Sequence, residues 1–246
     1  MKNLNKKKYE GFSLIEMLLT IAIISFVMTI SAAVLSTLIR VSTSSSNKIR
    51  ARNESEFVLE LVRRTVRNSN PKDIRIFNNK SGESSSRPRT YDPQSNKIIP
   101  NPNTTEEEIA SLYAEPLEEG EIGNEIHFKP YGYKDWICLG FFKSKSKIDS
   151  ENPIEKDQGY IIMTSNSDLI SKHEKCFADP PYLIVLNSPY ISARGFNIFY
   201  TVSGDMSYLI SFDVILEPLD WYLGGNPNFI RQVIRQGVVS TEGLIW

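Results

Sequence analysis

Apolar and polar positions divide this chain into four stretches. Residues 12–39 read FSLIEMLLTIAIISFVMTISAAVLSTLI, with Glu16 the single charge. At ~1.5 Å per helical residue this run spans about 42 Å, more than the ~30 Å hydrocarbon core of a bilayer, and predicts a membrane-length helix. From Arg40 the sequence turns polar but stays compatible with helix, weakest at Ser42–Asn47, where Ser, Thr and Asn compete for backbone hydrogen bonds. Ile49, Phe57, Val58, Leu61, Val62 and Val66 then recur at i, i+3 and i+4 spacing, the stripe of an amphipathic helix over 40–70. Arg50, Arg52, Glu56, Arg63, Arg64 and Arg67 fall mostly on its other faces, and Glu60 and Arg64 form an i, i+4 pair. No proline or glycine occurs from 12 to 69, so the pattern predicts one unbroken helix ending near Asn68-Ser69-Asn70-Pro71, where the residue before proline resists helical geometry.

The third stretch, 71–124, is poor in large apolar residues from 78 onward and is expected to be a variable loop region. Within it, Thr104 or Thr105 followed by Glu107 or Glu108 matches a capping box and predicts a short helix over 105–113. The fourth stretch, 125–246, has the rhythm of strands: 125–129, 135–143, 159–165, 182–187, 193–202, 206–216 and 231–240, each bounded by Pro, Gly, Asn or Ser. The clearest hairpin is 193–216. A loop of Ser203, Gly204 and Asp205 pairs Val202 with Met206 and Tyr200 with Tyr208, which puts both apolar sets on one side. The expected fold class is α+β: a long N-terminal α-helix, apolar in its first half and amphipathic in its second, packed through Phe57, Leu61 and their neighbours on a C-terminal antiparallel β-sheet.

Charge changes the reading of the first stretch. Residues 1–11 carry Lys2, Lys6, Lys7 and Lys8 against Glu10 alone. Lysines before an apolar span favour a cytoplasmic N-terminus and an exported remainder. The apolar run is too long for an ordinary secretory signal, and Ala32-Ala33 is followed by more apolar helix. A carboxylate inside such a run is costly, about 2.5–3.5 kcal/mol at the bilayer centre and less near its surface, so Glu16 marks a function. The residues Gly11-Phe12-Ser13-Leu14-Ile15-Glu16, behind a basic leader and ahead of this run, resemble the class III signal of type IV pilins and pseudopilins.

That resemblance implies a pilin-like fold and a specific fate for the N-terminus. A prepilin peptidase cuts after Gly11, removing the leader 1–11; Phe12 becomes the N-methylated first residue; and Glu16 neutralises the new ammonium of a neighbouring subunit during filament assembly. A buried anion and a buried cation tolerate each other better than either tolerates isolation. Glycine before the cut allows close approach of the protease. Two positions depart from many relatives: Glu10 stands where Lys or Arg is common, and the helix lacks the kinking proline of major pilins. The resemblance also implies other major and minor pilins or pseudopilins and an assembly platform protein as partners. It implies a single-pass cytoplasmic-membrane protein, head outside, that enters a surface or periplasmic filament.

Without the leader's four lysines and one glutamate, 24 basic and 28 acidic residues remain, a net charge of about −4 with histidine neutral. That balance does not supply the basic footprint of a DNA-binding subunit, so nucleic acid is unsupported by charge. The only cysteines, Cys138 and Cys176, leave a disulfide, two free thiols or a metal pair open, since the only histidines are His127 and His173, and His173-x-x-Cys176 has ligand-like spacing. No cofactor is expected and no metal site is assigned. Lys143, Lys145 and Lys147 alternate like a charged strand edge or a contact for acidic lipid or an anionic polymer, Arg87 and Arg89 read as a solvated loop or an anion site, and Asp220–Gly225 reads as an aromatic loop that covers the core or meets a neighbouring subunit or ligand. No GxSxG, HExxH or GxxxxGK[ST] motif occurs, and the expectation is that the chain is not an enzyme. Size and the long 71–124 stretch resemble the J-type pseudopilins of type II secretion and the W-type minor pilins, which form initiation or tip complexes. Two alternatives are a tip adhesin that binds a surface or DNA, as in competence pili, and a signal-anchored surface protein that never polymerises.

Overall fold

The computed structural model describes residues 13–81, 87–144, 158–164, 173, 176–177, 182–203, 207–219 and 232–241. Helix α1 runs without a break over Leu14–Arg67, as its lack of proline and glycine requires. The chain forms two compact units, divided between Ser46 and Asn47.

In the first unit the helix is long and apolar enough to cross a membrane. Leu14, Ile15, Leu19, Phe26 and Leu35 are exposed. Five of its hydroxyls are satisfied internally: Thr20, Ser25, Thr29, Thr37 and Thr43 each donate to the carbonyl four residues back, at 2.8–2.9 Å. Such back-bonding removes the cost of polar side chains in lipid or in a filament core.

In the second unit the helix buries Ala51, Ser55, Val58, Leu59, Val62 and Val66. Phe57 and Ile49 face outward, each 57% exposed, which corrects the expectation that Phe57 leads the packing face; Leu61 is partly buried against the core. The inward face extends beyond the apolar stripe to the small residues Ala51 and Ser55, which carry little hydrophobic signal.

The chain leaves α1 directly into a strand. Strand β1, Ser69–Phe77, is followed by β2, Arg89–Asp92, and β3, Lys97–Pro100; helix α2 is Glu106–Ser111. The stretch 71–124 is thus more than a variable loop. Pro71 is accommodated because β1 is the outer strand of its sheet and its ladder is irregular between Ser69 and Ile74. Helix α2 starts at the expected capping box: Glu108 N donates to Thr105 Oγ1 at 3.2 Å, and Thr105 N donates to Glu108 Oε2 at 2.8 Å.

Strands β4 to β10 are Glu125–Pro130, Ile137–Lys143, Gly159–Thr164, Leu183–Val185, Ile191–Ser203, Ser207–Pro218 and Val233–Ser240. They make two antiparallel sheets rather than one: a five-stranded sheet in the order β1-β4-β5-β6-β7 and a three-stranded sheet in the order β10-β9-β8, with β2-β3 a separate hairpin. The β8–β9 register also differs from expectation. Val202 pairs with Tyr208 and Tyr200 with Ile210, so the turn falls one residue later. The parity is preserved, and Phe196, Ile198, Ile210, Phe212, Val214 and Leu216 share one buried face.

One core joins α1 to Ile126, Phe128, Leu139, Phe141 and Ile161 of the first sheet and to the apolar face of the second. The sheets meet at Gly159, where a Cβ would collide with the Ala193 carbonyl oxygen. Asn187 ties the same place together, accepting from Ile161 N at 2.8 Å and donating to Ile191 O at 2.7 Å. The other face of the five-stranded sheet builds a second core of Tyr91, Ile98, Trp136, Cys138, Phe142, Tyr160, Ile162, Cys176, Phe177 and Leu183, with contributions from both strands of the β2-β3 hairpin.

Tyr160 lies in this second core against Tyr91, ring centroids 4.8 Å apart. Burial, reinforced by Tyr91, pushes its phenol up to about 12. The unfolded chain ionises near 10 and the folded chain near 12, so the unfolded state holds fewer protons in that window. Stability is therefore full below pH 10 and falls as pH rises toward 12, by roughly 2–3 kcal/mol from this group. Urea unfolding at pH 9 and pH 11.5 checks this, and Tyr160→Phe is expected to flatten the slope.

Candidate functional site

The first turn of α1 holds Glu16. Ser13 N donates to Glu16 Oε2 at 2.9 Å, and Glu16 N donates weakly to Ser13 Oγ at 3.4 Å. Ser13-x-x-Glu16 is thus a capping box at the start of the apolar helix, and the carboxylate also lies at the positive end of the helix dipole. The Ser13-x-x-Glu16 spacing carries this signal in the sequence, independently of the charge of Glu16. Gly11 and Phe12 lie outside the described residues, directly before this turn.

A second constellation is buried in the head. Glu125 and His127 are two apart on β4, and so share the face turned away from α1. His127 Nε2 lies 2.7 Å from Glu125 Oε1. Asn79 Nδ2 donates to Glu125 Oε2 at 2.8 Å, and Arg89 Nη2 donates to the same oxygen at 3.4 Å. Gly140, opposite Glu125 in the ladder, makes the room: a Cβ there would press on Phe142, Glu125 and Phe177. The Arg89 guanidinium lies over the rings of Tyr113, Phe142 and Phe177, at 5.0, 5.4 and 5.9 Å. Burial draws the Arg89 pKa below the usual arginine value, with Glu125 opposing.

Glu125, His127 and Arg89 are at most 2% exposed. The cluster is closed to solvent, so its chemistry is that of an internal ion pair. Arg89 and Arg87, read from sequence as a solvated loop, are both buried, because β2 folds over the second core. The half of this cluster on β4 was legible in the alternation of Glu125 and His127; Arg89, 36 residues earlier, was not.

Cys138 and Cys176 form a disulfide with Cα atoms 6.0 Å apart. His127 sits directly across the β4–β5 ladder from Cys138, and His173 packs near it, ring centroids 6.0 Å apart. Lys143 pairs with Gly159 inside the five-stranded sheet and so is not on its edge; Lys145, Lys147 and Asp220–Gly225 lie outside the described residues.

The family model for the prokaryotic N-terminal methylation motif matches residues 6–32. No curated protein and no solved structure matches the chain. The matched motif is that of type IV pilin-like proteins and implies processing by a prepilin peptidase and assembly with other pilins. It lies on a membrane-capable helix joined to antiparallel sheets, the layout of a pilin- or pseudopilin-type subunit anchored in a membrane.

Proposed function

We propose that this chain is a minor pilin or pseudopilin, inserted with its head outside, cut between Gly11 and Phe12, N-methylated at Phe12 and built into a filament near its initiating or tip end. The observation that carries this reading is the methylation motif at residues 6–32 running into an unbroken apolar helix whose first turn presents Glu16. Cleavage would create an ammonium at Phe12, one residue before Ser13. The Glu16 carboxylate stands at that end of the helix, available to a neighbour's terminus once subunits pack side by side. The exposed apolar face of α1 supplies the packing surface, and hydroxyls such as those of Ser25 and Thr29 are bonded within the helix. The subunit performs no catalysis; an assembly ATPase and the platform protein would supply the work. Chain length and the folded 71–124 insertion support a minor subunit of the J-type or W-type.

Substituting Gly11 by a bulky residue tests this. The variant is expected to stay about 11 residues longer than the processed chain, beginning at Met1 or Lys2, and to be absent from filaments. N-terminal sequencing reads the outcome. A wild-type chain that is never shortened, or a variant shortened like the wild type, overturns the proposal and leaves a signal-anchored protein.

A further inference from the structure

The chain contains two histidines and two cysteines, and the fold brings all four to one place. His127 and Cys138 are ladder partners on β4 and β5. Cys176 is joined to Cys138, and its N–H donates to the His173 carbonyl at 3.2 Å, which holds the His173 backbone beside the disulfide. The ligand atoms of His127, Cys138 and Cys176 all lie within 4.8 Å of one another, and the His173 ring centroid is 6.0 Å from that of His127. Four ligands around one zinc ion, with Zn–S ~2.3 Å and Zn–N ~2.0–2.1 Å, sit roughly 3.3–3.8 Å apart. The His127 nitrogen therefore needs to close on the sulfurs by about 1 Å, and the two sulfurs, once reduced, need to part by about 1.7 Å from their bonded separation; His173, whose ring stacks on Phe77 at 5.7 Å, has the longer approach.

His127 supplies a second, independent observation. It is fully buried, and its Nδ1 has no hydrogen-bond partner among the described residues. Its Nε2 is held by the Glu125 carboxylate at 2.7 Å, and Asn79 and Arg89 hold that carboxylate in turn. An imidazole fixed through one nitrogen by a buried carboxylate, its other nitrogen unpaired and a ring nitrogen within 4.8 Å of both cysteine sulfurs, is held as metal-ligating histidines are. With Nε2–H given to Glu125, the neutral ring leaves Nδ1 as a buried lone pair, which is otherwise a net cost, and a disulfide sulfur has no proton to offer it.

We propose that the dithiol form of the head binds one Zn²⁺ through Cys138, Cys176, His127 and His173, with Glu125 setting the His127 tautomer, so that disulfide and zinc are alternative closures of the same site. The inference does not depend on the pilin reading. Conversion balances as follows. A trialkylphosphine gives an electron pair to the S–S bond, water supplies two protons to the thiols and an oxygen to the phosphine oxide, and Zn²⁺ then displaces the two thiol protons. Two thiolates with two imidazoles favour zinc over harder ions.

The test uses the full chain in detergent micelles, reduced anaerobically with a phosphine that is then removed, and titrated with Co²⁺ followed by Zn²⁺. The expected result is one equivalent of Co²⁺ with thiolate-to-cobalt charge-transfer and tetrahedral ligand-field absorption, erased by Zn²⁺. Native mass spectrometry is expected to show a gain of one zinc and a loss of two protons. Cys138→Ser removes the charge-transfer intensity expected of two thiolates, and Glu125→Gln weakens affinity ~10–100-fold while leaving the band positions. His127→Gln and the more exposed His173→Gln each weaken it at least as much. A reduced, folded chain that gives no thiolate-to-cobalt absorption overturns the proposal, as does cobalt bound without it or an affinity unchanged in both histidine variants. If reduction unfolds the head, zinc must restore the fold, and failure to do so overturns it equally.

Discussion

Glu16→Ala is expected to be processed normally and to fail in assembly, its incorporation into filaments falling roughly a hundredfold or more. That is the order by which removing one member of a buried ion pair weakens association. The capping box complicates this variant, because alanine also frees Ser13 N and frays the first turn. Glu16→Gln separates the two roles. Glutamine retains the reciprocal cap but carries no charge, so the cap reading predicts near-normal filaments and the ion-pair reading predicts the alanine phenotype. Quantifying processed subunit in sheared filaments against the membrane fraction decides between them. Wild-type assembly of Glu16→Gln would refute the charge-pairing role.

Glu125→Ala is expected to lower the stability of the head by about 3–5 kcal/mol, because it leaves the Arg89 guanidinium buried without its counter-charge. For a chain of this size that corresponds to a fall of roughly 6–20 °C in melting temperature. The cost comes from stranding the partner more than from losing the contact, so Glu125→Leu combined with Arg89→Met is expected to recover most of it. Thermal and urea unfolding of the three forms under oxidising conditions, which keep Cys138 and Cys176 bonded, provide the check. A loss below about 1 kcal/mol in the single variant would place Arg89 in contact with water and contradict its observed burial.

Several features were legible because they depend on neighbours in sequence. Helix α1 follows from 58 positions without proline or glycine, and the α2 cap from one Thr-x-x-Glu spacing. The strand positions of the head follow from runs of β-branched and aromatic residues bounded by Pro, Gly, Asn or Ser, with alternation clearest over 193–216. The β8–β9 pairing shows where that kind of inference stops: alternation determines which residues share a face but not the register, and the observed ladder differs by two. The inward face of α1 shows a related limit. Periodicity in apolar residues picks out Val58, Val62 and Val66, which are buried, and also Phe57, which is exposed, whereas the buried face extends to Ala51 and Ser55, which the apolar pattern does not mark.

By itself the sequence determined the membrane-length helix, the motif that begins it and the β rhythm of the head, since each rests on hydrophobicity and spacing within a few residues. Only the tertiary structure decided that 71–124 contributes a strand and a hairpin to the head, that Arg89 is buried on Glu125, and that two histidines and two cysteines from separate segments converge. These outcomes depend on contacts across tens of residues, where the entropy of loop closure is offset by burial that no local pattern records.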